Sequence, residues 1–141
     1  MKRTFIAVLL ASATFCGIGA SEITTPQAQN VAQEKQAKIA FNNTAYSFGT
    51  FEETKAQTCV FTFQNTGTAP LIINQAVASC GCTVPTYTKS PIAPGQSGQI
   101  KVTYNGKGKF PGHFKKSITV RTNGTPEVVR LYVEGDMTVK D

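Results

Sequence analysis

Apolar and polar residues alternate with a period of two along most of the chain after residue 38. In residues 57–64, for example, Cys59, Phe61 and Phe63 alternate with neighbours such as Thr58 and Thr62. This period predicts β-strands that place one face on a core and the other in solvent. The residues predicted to face inward are Cys59, Phe61, Phe63, Ile100, Val102, Tyr104, Ile118, Val120, Val129, Leu131 and Val133.

About seven short strands follow from this pattern, and glycine- or proline-containing turns separate them. The predicted strands are residues 39–41, 46–51, 57–64, 71–77, 99–104, 116–122 and 129–134. Many short strands at this spacing predict an all-β fold, and a β-sandwich in particular. The longest predicted loop covers residues 79–94, so we take it as the first candidate for a contact surface.

The first 38 residues have a different composition from the rest of the chain. Lys2 and Arg3 precede an apolar run at residues 5–10 and then small residues up to Ala20, which predicts a secretory signal peptide over residues 1–20. The apolar run is shorter than the roughly 20 residues that a membrane span needs. Residues 21–38 are rich in Gln, Ala, Thr, Glu and Lys and predict a flexible leader, so the predicted domain covers residues 39–141.

The signal peptide predicts export to the periplasm or the extracellular space. A lipid anchor on Cys16 is the alternative, but Phe15 is bulky where such processing sites carry a small residue. We therefore expect a protein that is exported without a lipid anchor and has no membrane span.

The positive charge is modest once the signal peptide is removed. The full chain has 14 basic and 8 acidic residues, of which the predicted mature chain keeps 12 and 8, a net charge of +4. No aromatic residues alternate with the lysines as a nucleic-acid platform would need, so we expect no nucleic-acid partner. Five lysines fall in two predicted strands and their loop: Lys101, Lys107, Lys109, Lys115 and Lys116. We interpret them as a solvated hairpin, with a weak site for an anionic partner as the alternative.

Catalytic residues are scarce in this sequence. His113 is the single histidine, and it lies next to a Pro-Gly turn without a nucleophile motif nearby. Glu52 and Glu53 are neighbours in a strand and would point to opposite faces, so they cannot flank one scissile bond. We therefore expect that the protein is not an enzyme and needs no cofactor.

The sequence resembles the exported bacterial family known as domain of unknown function fifteen seventy-three. The resemblance covers about residues 41–135 and rests on several short motifs. They are Tyr46-Ser47-Phe48-Gly49-Thr50, Phe61-Thr62-Phe63-Gln64-Asn65-Thr66-Gly67, Pro70-Leu71-Ile72-Ile73, Ser79-Cys80-Gly81-Cys82-Thr83, Pro91-Ile92-Ala93-Pro94-Gly95 and Gly112-His113-Phe114. The resemblance implies an immunoglobulin-like β-sandwich and assigns no catalytic residue.

Three cysteines of the predicted mature chain carry the remaining candidate chemistry. Cys80 and Cys82 can close on each other across Gly81, or Cys59 can pair with one of them as a structural disulfide. The third state is a thiolate site for Cu(I) or Zn at Cys80 and Cys82, with Cys59 and His113 as further candidate ligands. We favour structural use of the cysteines over metal or redox function.

These observations favour a binding or adaptor module of the cell envelope that recognises a protein or glycan. The candidate contact residues are Ser79, Cys80, Gly81, Cys82 and Thr83. A thiol-based metal-binding or redox protein that uses Cys80 and Cys82 is the alternative.

Overall fold

The computed structural model describes residues 34–140. The predicted signal peptide, the lipid-site candidate Cys16 and most of the predicted leader lie outside these residues. The described part contains eight strands and no helix. They are β1 (Ile39–Phe41), β2 (Ala45–Glu52), β3 (Gln57–Asn65), β4 (Ile73–Ala78), β5 (Thr83–Tyr87), β6 (Ser97–Tyr104), β7 (Gly112–Thr122) and β8 (Val128–Thr138). Accordingly, none of the residues described belongs to a helix that is long and apolar enough to span a membrane.

The strands form two four-stranded sheets, and the fold is an immunoglobulin-like sandwich as predicted. The first sheet has the order β1-β3-β6-β5, and the second has the order β2-β8-β7-β4. All pairs are antiparallel except β2 with β8, which is parallel. The register of β2 shifts between Ser47 and Thr50, where Gly49 has a φ of 67° that residues with a side chain rarely adopt.

The core lies between the sheets and consists largely of the residues that the alternation predicted to face inward. Ten of those eleven side chains are buried, and Val129 is partly buried against the others. The main cluster is completed by Ala37, Ile39, Leu71, Ile73 and Ile92. A smaller cluster of Phe51, Tyr104 and Met137 lies at the other end of the strands.

The prediction of one long loop over residues 79–94 was wrong, because these residues contain β5. Thr83 is buried and Val84 is exposed, so the alternation is present but short. The strand was not predicted because it contains Pro85, and proline is unfavourable inside a sheet although it is tolerated on an edge strand. β5 is indeed the edge of the first sheet, and β4 is the edge of the second. The loop that contains Cys80 and Cys82 is therefore a short turn that links two edge strands.

The packed part of the described chain begins before β1. The backbone of Gln36 and Lys38 accepts hydrogen bonds from Thr68 and Thr66 at 2.8 and 2.9 Å. Ala37 between them is buried, with 3% of its surface exposed. Residues 36–38 therefore pack against the β3–β4 loop, at the end of the sandwich away from the cysteine turn.

Candidate functional site

The end of the sandwich that carries the cysteine turn has a surface cavity of about 290 Å³. We call this region the disulfide end, and it consists of the turn at residues 79–83 and the β6–β7 loop at residues 105–111. The cavity is lined by Cys80, Cys82, Tyr104, Lys109, Phe110, His113, Phe114 and Lys116. The site therefore joins the cysteine motif to residues that are distant in the sequence.

Backbone hydrogen bonds hold the cysteine turn in place. The amide of Thr83 donates to the carbonyl of Cys80 at 3.3 Å, which closes the turn. The amide of Asn105 donates to the carbonyl of Cys82 at 2.8 Å and so ties the turn to the β6–β7 loop. On the other side, the amide of Ser79 donates to the carbonyl of Ser117 on β7 at 2.8 Å.

Cys80 and Cys82 form a disulfide across Gly81, with their Cα atoms 5.3 Å apart. Gly81 does not adopt a positive φ that would require glycine, and a Cβ built on it would meet nothing within 4 Å. The closure of the ring therefore does not depend on a missing side chain at position 81. A disulfide that closes only three residues constrains the unfolded chain little, by about 1.6 kcal/mol in the chain-entropy model.

Cys59 does not take part in this site. It lies on β3, faces the core with 5% of its surface exposed, and is a free thiol. Burial raises the pKa of the Cys59 thiol to about 11, because desolvation disfavours the charged thiolate. The structure therefore brings together Cys80, Cys82 and His113 but leaves Cys59 between the sheets.

Aromatic residues form the inner wall of the cavity. The rings of Tyr104 and Phe114 are stacked, with centroids 4.0 Å apart and planes 7° from parallel. Phe51 packs edge-on against both rings, at 6.0 and 5.8 Å between centroids. These contacts fix the wall, because each ring is held by its neighbours.

Phe110 lies at the rim of the cavity and is the most exposed large apolar residue described, with 94% of its surface exposed. The alternation of apolar and polar residues does not point to Phe110, because it lies between two predicted strands. The signal that could have found it is the phenylalanine between Lys109 and Pro111 in a loop, where no core is available to bury it. Phe110 and the cavity that it borders are therefore the candidate contact surface at this end of the sandwich.

The structure gives different surroundings to the lysines that the sequence predicts as a solvated hairpin. Lys109 and Lys116 line the cavity, whereas Lys101 is exposed on β6. Lys115 pairs with Glu134 at 3.2 Å. Within residues 34–140, Lys109 and Lys116 have no carboxylate within ion-pair distance, so their charges are available to a ligand.

The single histidine also reaches the cavity, where it contacts a carboxylate. His113 Nδ1 lies 3.2 Å from Asp136 Oδ1 on the neighbouring strand β8, and both side chains are more than half exposed. Over the part of the chain that is described, no three His, Cys, Asp or Glu side chains are grouped as a metal site would need. The sulfurs of Cys80 and Cys82 are joined in a disulfide and are not thiolate ligands in this state.

Comparison with solved structures defines the class of fold. A PapD-like domain of human CEP192 matches with a TM-score of 0.63 and 11% identity, over 89% of this chain and 100% of that domain. A protein of unknown function from Porphyromonas gingivalis W83 matches with a TM-score of 0.63 and 14% identity, over 72% of this chain and 47% of that one. The CupB2 chaperone of Pseudomonas aeruginosa matches with a TM-score of 0.51 and 13% identity, over 70% and 55% of the two chains. These matches support an immunoglobulin-like sandwich fold.

The family follows from the sequence itself. Residues 39–137 match the family described as "Protein of unknown function (DUF1573)", and the chain belongs to this family. This confirms the resemblance seen in the motifs. No curated protein matches the sequence significantly.

Proposed function

We propose that this protein is an exported binding module of the cell envelope that recognises a protein partner through its disulfide end. The observation that carries the proposal is Phe110, whose ring is almost fully exposed beside a cavity walled by stacked aromatic rings. Aromatic anchors on a surface are typical of sites where one protein binds another. The proposal includes export by the predicted signal peptide and a role in binding rather than in catalysis.

The two edge strands that flank the cysteine turn support a protein partner over a glycan. Val77 on β4 and Val84 on β5 have 48% and 55% of their surfaces exposed. Each strand has one hydrogen-bonded neighbour in its sheet, so an extended segment of a partner can add to either edge. The chaperone of the same fold from Pseudomonas aeruginosa is consistent with a fold that binds proteins.

The charges of the disulfide end further restrict the partner. Lys109 and Lys116 place two cations next to the apolar rim formed by Phe110. An acidic segment that also carries apolar residues would neutralise these charges and cover the ring. We therefore propose an acidic and partly apolar segment of an envelope protein as the binding partner.

Affinity capture from the envelope fraction of the source cells tests this proposal. The immobilised wild-type protein is compared with Phe110→Ala and with Val128→Ala, a matched control because Val128 is an exposed apolar residue on β8 outside the disulfide end. Quantitative mass spectrometry is expected to show partners that Phe110→Ala depletes at least tenfold and Val128→Ala retains. Equal capture by all three proteins would contradict the proposal.

A further inference from the structure

The Cys80–Cys82 disulfide is placed where a second molecule can reach it. Both cysteines are partly buried, and both line the cavity at the disulfide end rather than the core between the sheets. Its three-residue ring adds little constraint to the unfolded chain, so stabilisation of the fold does not account for its position. We propose that this disulfide reacts by thiol–disulfide exchange with a dithiol on the bound partner, and thereby oxidises that dithiol.

The local groups favour the step in which a sulfur leaves. Thr83 Oγ1 lies 3.7 Å from Cys80 Sγ and 3.8 Å from Cys82 Sγ. The hydroxyl can therefore donate a hydrogen bond to whichever sulfur is released as a thiolate. Lys109 and Lys116 add positive potential in the same cavity. Cations and hydrogen-bond donors lower the pKa of a leaving thiol, and a leaving thiol of lower pKa departs faster.

The exchange is balanced without a further reactant. One thiolate of the partner attacks a sulfur of the Cys80–Cys82 disulfide, which forms a mixed disulfide and releases the other cysteine as a thiolate. The second thiolate of the partner then attacks the partner's own sulfur in the mixed disulfide, which forms the partner's disulfide and releases the remaining cysteine of the Cys80–Cys82 pair as a thiolate. Two electrons pass to Cys80 and Cys82, and the two protons that the partner's thiols give up are taken by the two new thiolates.

The same cavity indicates which dithiols react best. Lys109 and Lys116 attract acidic residues, and Phe110 offers an apolar contact next to the disulfide. This inference rests on the proposed function, since the partner's binding segment has to bring its cysteines to the cavity. We therefore expect a pair of cysteines flanked by acidic and apolar residues.

Reduction kinetics with dithiothreitol test the reactivity of the site itself. The full chain is treated at pH 8, quenched with acid and alkylated, and peptide mass mapping reads Cys80 and Cys82 separately from Cys59 and Cys16. The comparator is an oxidised synthetic peptide of residues 77–85, which has the same disulfide without the cavity. We expect the folded protein to react at least tenfold faster than the peptide, and equal or slower reaction of the folded protein would overturn the inference.

Substitutions identify the groups responsible. Thr83→Val, which keeps the shape of a buried side chain, and the double substitution of Lys109 and Lys116 by Gln are each expected to slow reduction about three- to tenfold. Thr86→Val and Lys101→Gln are the matched controls, because both residues lie on the same sheet outside the cavity and are exposed. Rates that stay the same in the cavity variants, with folding checked by circular dichroism, would show that the cavity does not activate the disulfide.

The exchange and the binding proposal fail in different ways. If Phe110→Ala loses captured partners while the folded protein and the peptide react equally, binding stands and exchange is refuted. If the folded protein reacts faster but Phe110→Ala captures the same partners as the wild type, the disulfide is reactive and the proposed contact surface is refuted. A synthetic acidic and leucine-containing peptide with a Cys-Gly-Gly-Cys segment then tests partner choice, and it should react faster with the wild type than with the Lys109 and Lys116 double variant.

Discussion

Substitution of Asn65, at the end of β3, is the strongest test of how the fold is held together. Its side chain has no exposed surface and makes four hydrogen bonds. Oδ1 accepts from the amides of Lys38 and Gly67 at 3.3 and 3.0 Å, and Nδ2 donates to the carbonyls of Ala69 and Ile92 at 2.7 and 2.9 Å. One buried amide thereby joins the segment before β1, the β3–β4 loop and the β5–β6 loop.

Asn65→Asp replaces the donor Nδ2 of this side chain by an oxygen and leaves the shape of the side chain unchanged. The carboxyl keeps an oxygen that accepts from Lys38 and Gly67, but its second oxygen faces the two carbonyls that Nδ2 satisfied. Two lost hydrogen bonds cost about 1 kcal/mol each, and leaving buried groups unpaired costs about 1–3 kcal/mol more. We expect a loss of about 3–5 kcal/mol at pH 7, against a total stability of about 5–15 kcal/mol for a domain of this size.

The loss should depend on pH, because only the protonated carboxyl can donate a hydrogen bond to one of these carbonyls. Burial and the facing carbonyls raise the pKa of the introduced Asp in the folded state above its unfolded value of about 3.9. The unfolded chain therefore releases the proton first as pH rises. The penalty is smallest below about pH 4 and increases as pH rises towards the folded-state pKa.

Urea unfolding followed by far-ultraviolet circular dichroism measures this effect, since the protein has no Trp for fluorescence. Gln64→Glu is the matched control, because it makes the same chemical change at the exposed neighbouring residue, whose Nε2 donates to the carbonyl of Gly95 at 3.1 Å. We expect this control to lose about 0.5 kcal/mol or less. A loss below about 1 kcal/mol for Asn65→Asp at pH 7, or a loss of the same size at pH 4 and pH 7, would refute the reasoning, since the buried amide is expected to account for more.

Three further predictions concern packing and titration. A Cβ at Gly67 would meet the backbone of residues 36–38, including the carbonyl carbon of Ala37 at 2.8 Å, so Gly67→Ala should cost about 1–3 kcal/mol and speed proteolysis before β1. Gly81→Ala has open space and should keep both its stability, within about 0.5 kcal/mol, and its disulfide, as urea unfolding and mass mapping would show. Burial raises the pKa of Cys59 from 9.0 to about 11. As pH rises, the thiol therefore loses its proton in the unfolded chain before it does so in the folded protein. Between pH 9 and 11 the free energy of unfolding of the wild type should fall by up to about 1.4 kcal/mol per pH unit more than that of Cys59→Ala. Urea unfolding that gives the two proteins the same pH dependence would contradict this.

The sandwich could be predicted from the sequence because alternation is a local signal. Phe61 and Phe63 are two positions apart on β3, as are Ile100 and Val102 on β6, and all four are buried as predicted. The strand β5 was missed because it is short and contains Pro85. The strands β7 and β8 extend beyond their predicted limits. The two strands pair with each other from Gly112 to Arg121 of β7, which is further than the clear alternation of apolar and polar residues reaches.

The candidate site was predictable only in part. The cysteine motif was selected from its own residues, and the structure places Cys80 and Cys82 in one disulfide at the surface. Its surroundings depend on which loops meet at one end of the sandwich, and this is set by long-range pairing rather than by spacing. The cavity that the cysteine turn shares with Phe110 was therefore not predicted, and neither was the stack of Tyr104 on Phe114.

The central claim is that the disulfide end is the surface that binds a partner. Site-specific photo-cross-linking in the source cells tests it most directly, with a photoreactive residue placed at Phe110 or at Val128. We predict a discrete cross-linked product with an envelope protein from position 110 and none from position 128. No product at position 110, or the same products at both positions, would contradict the account.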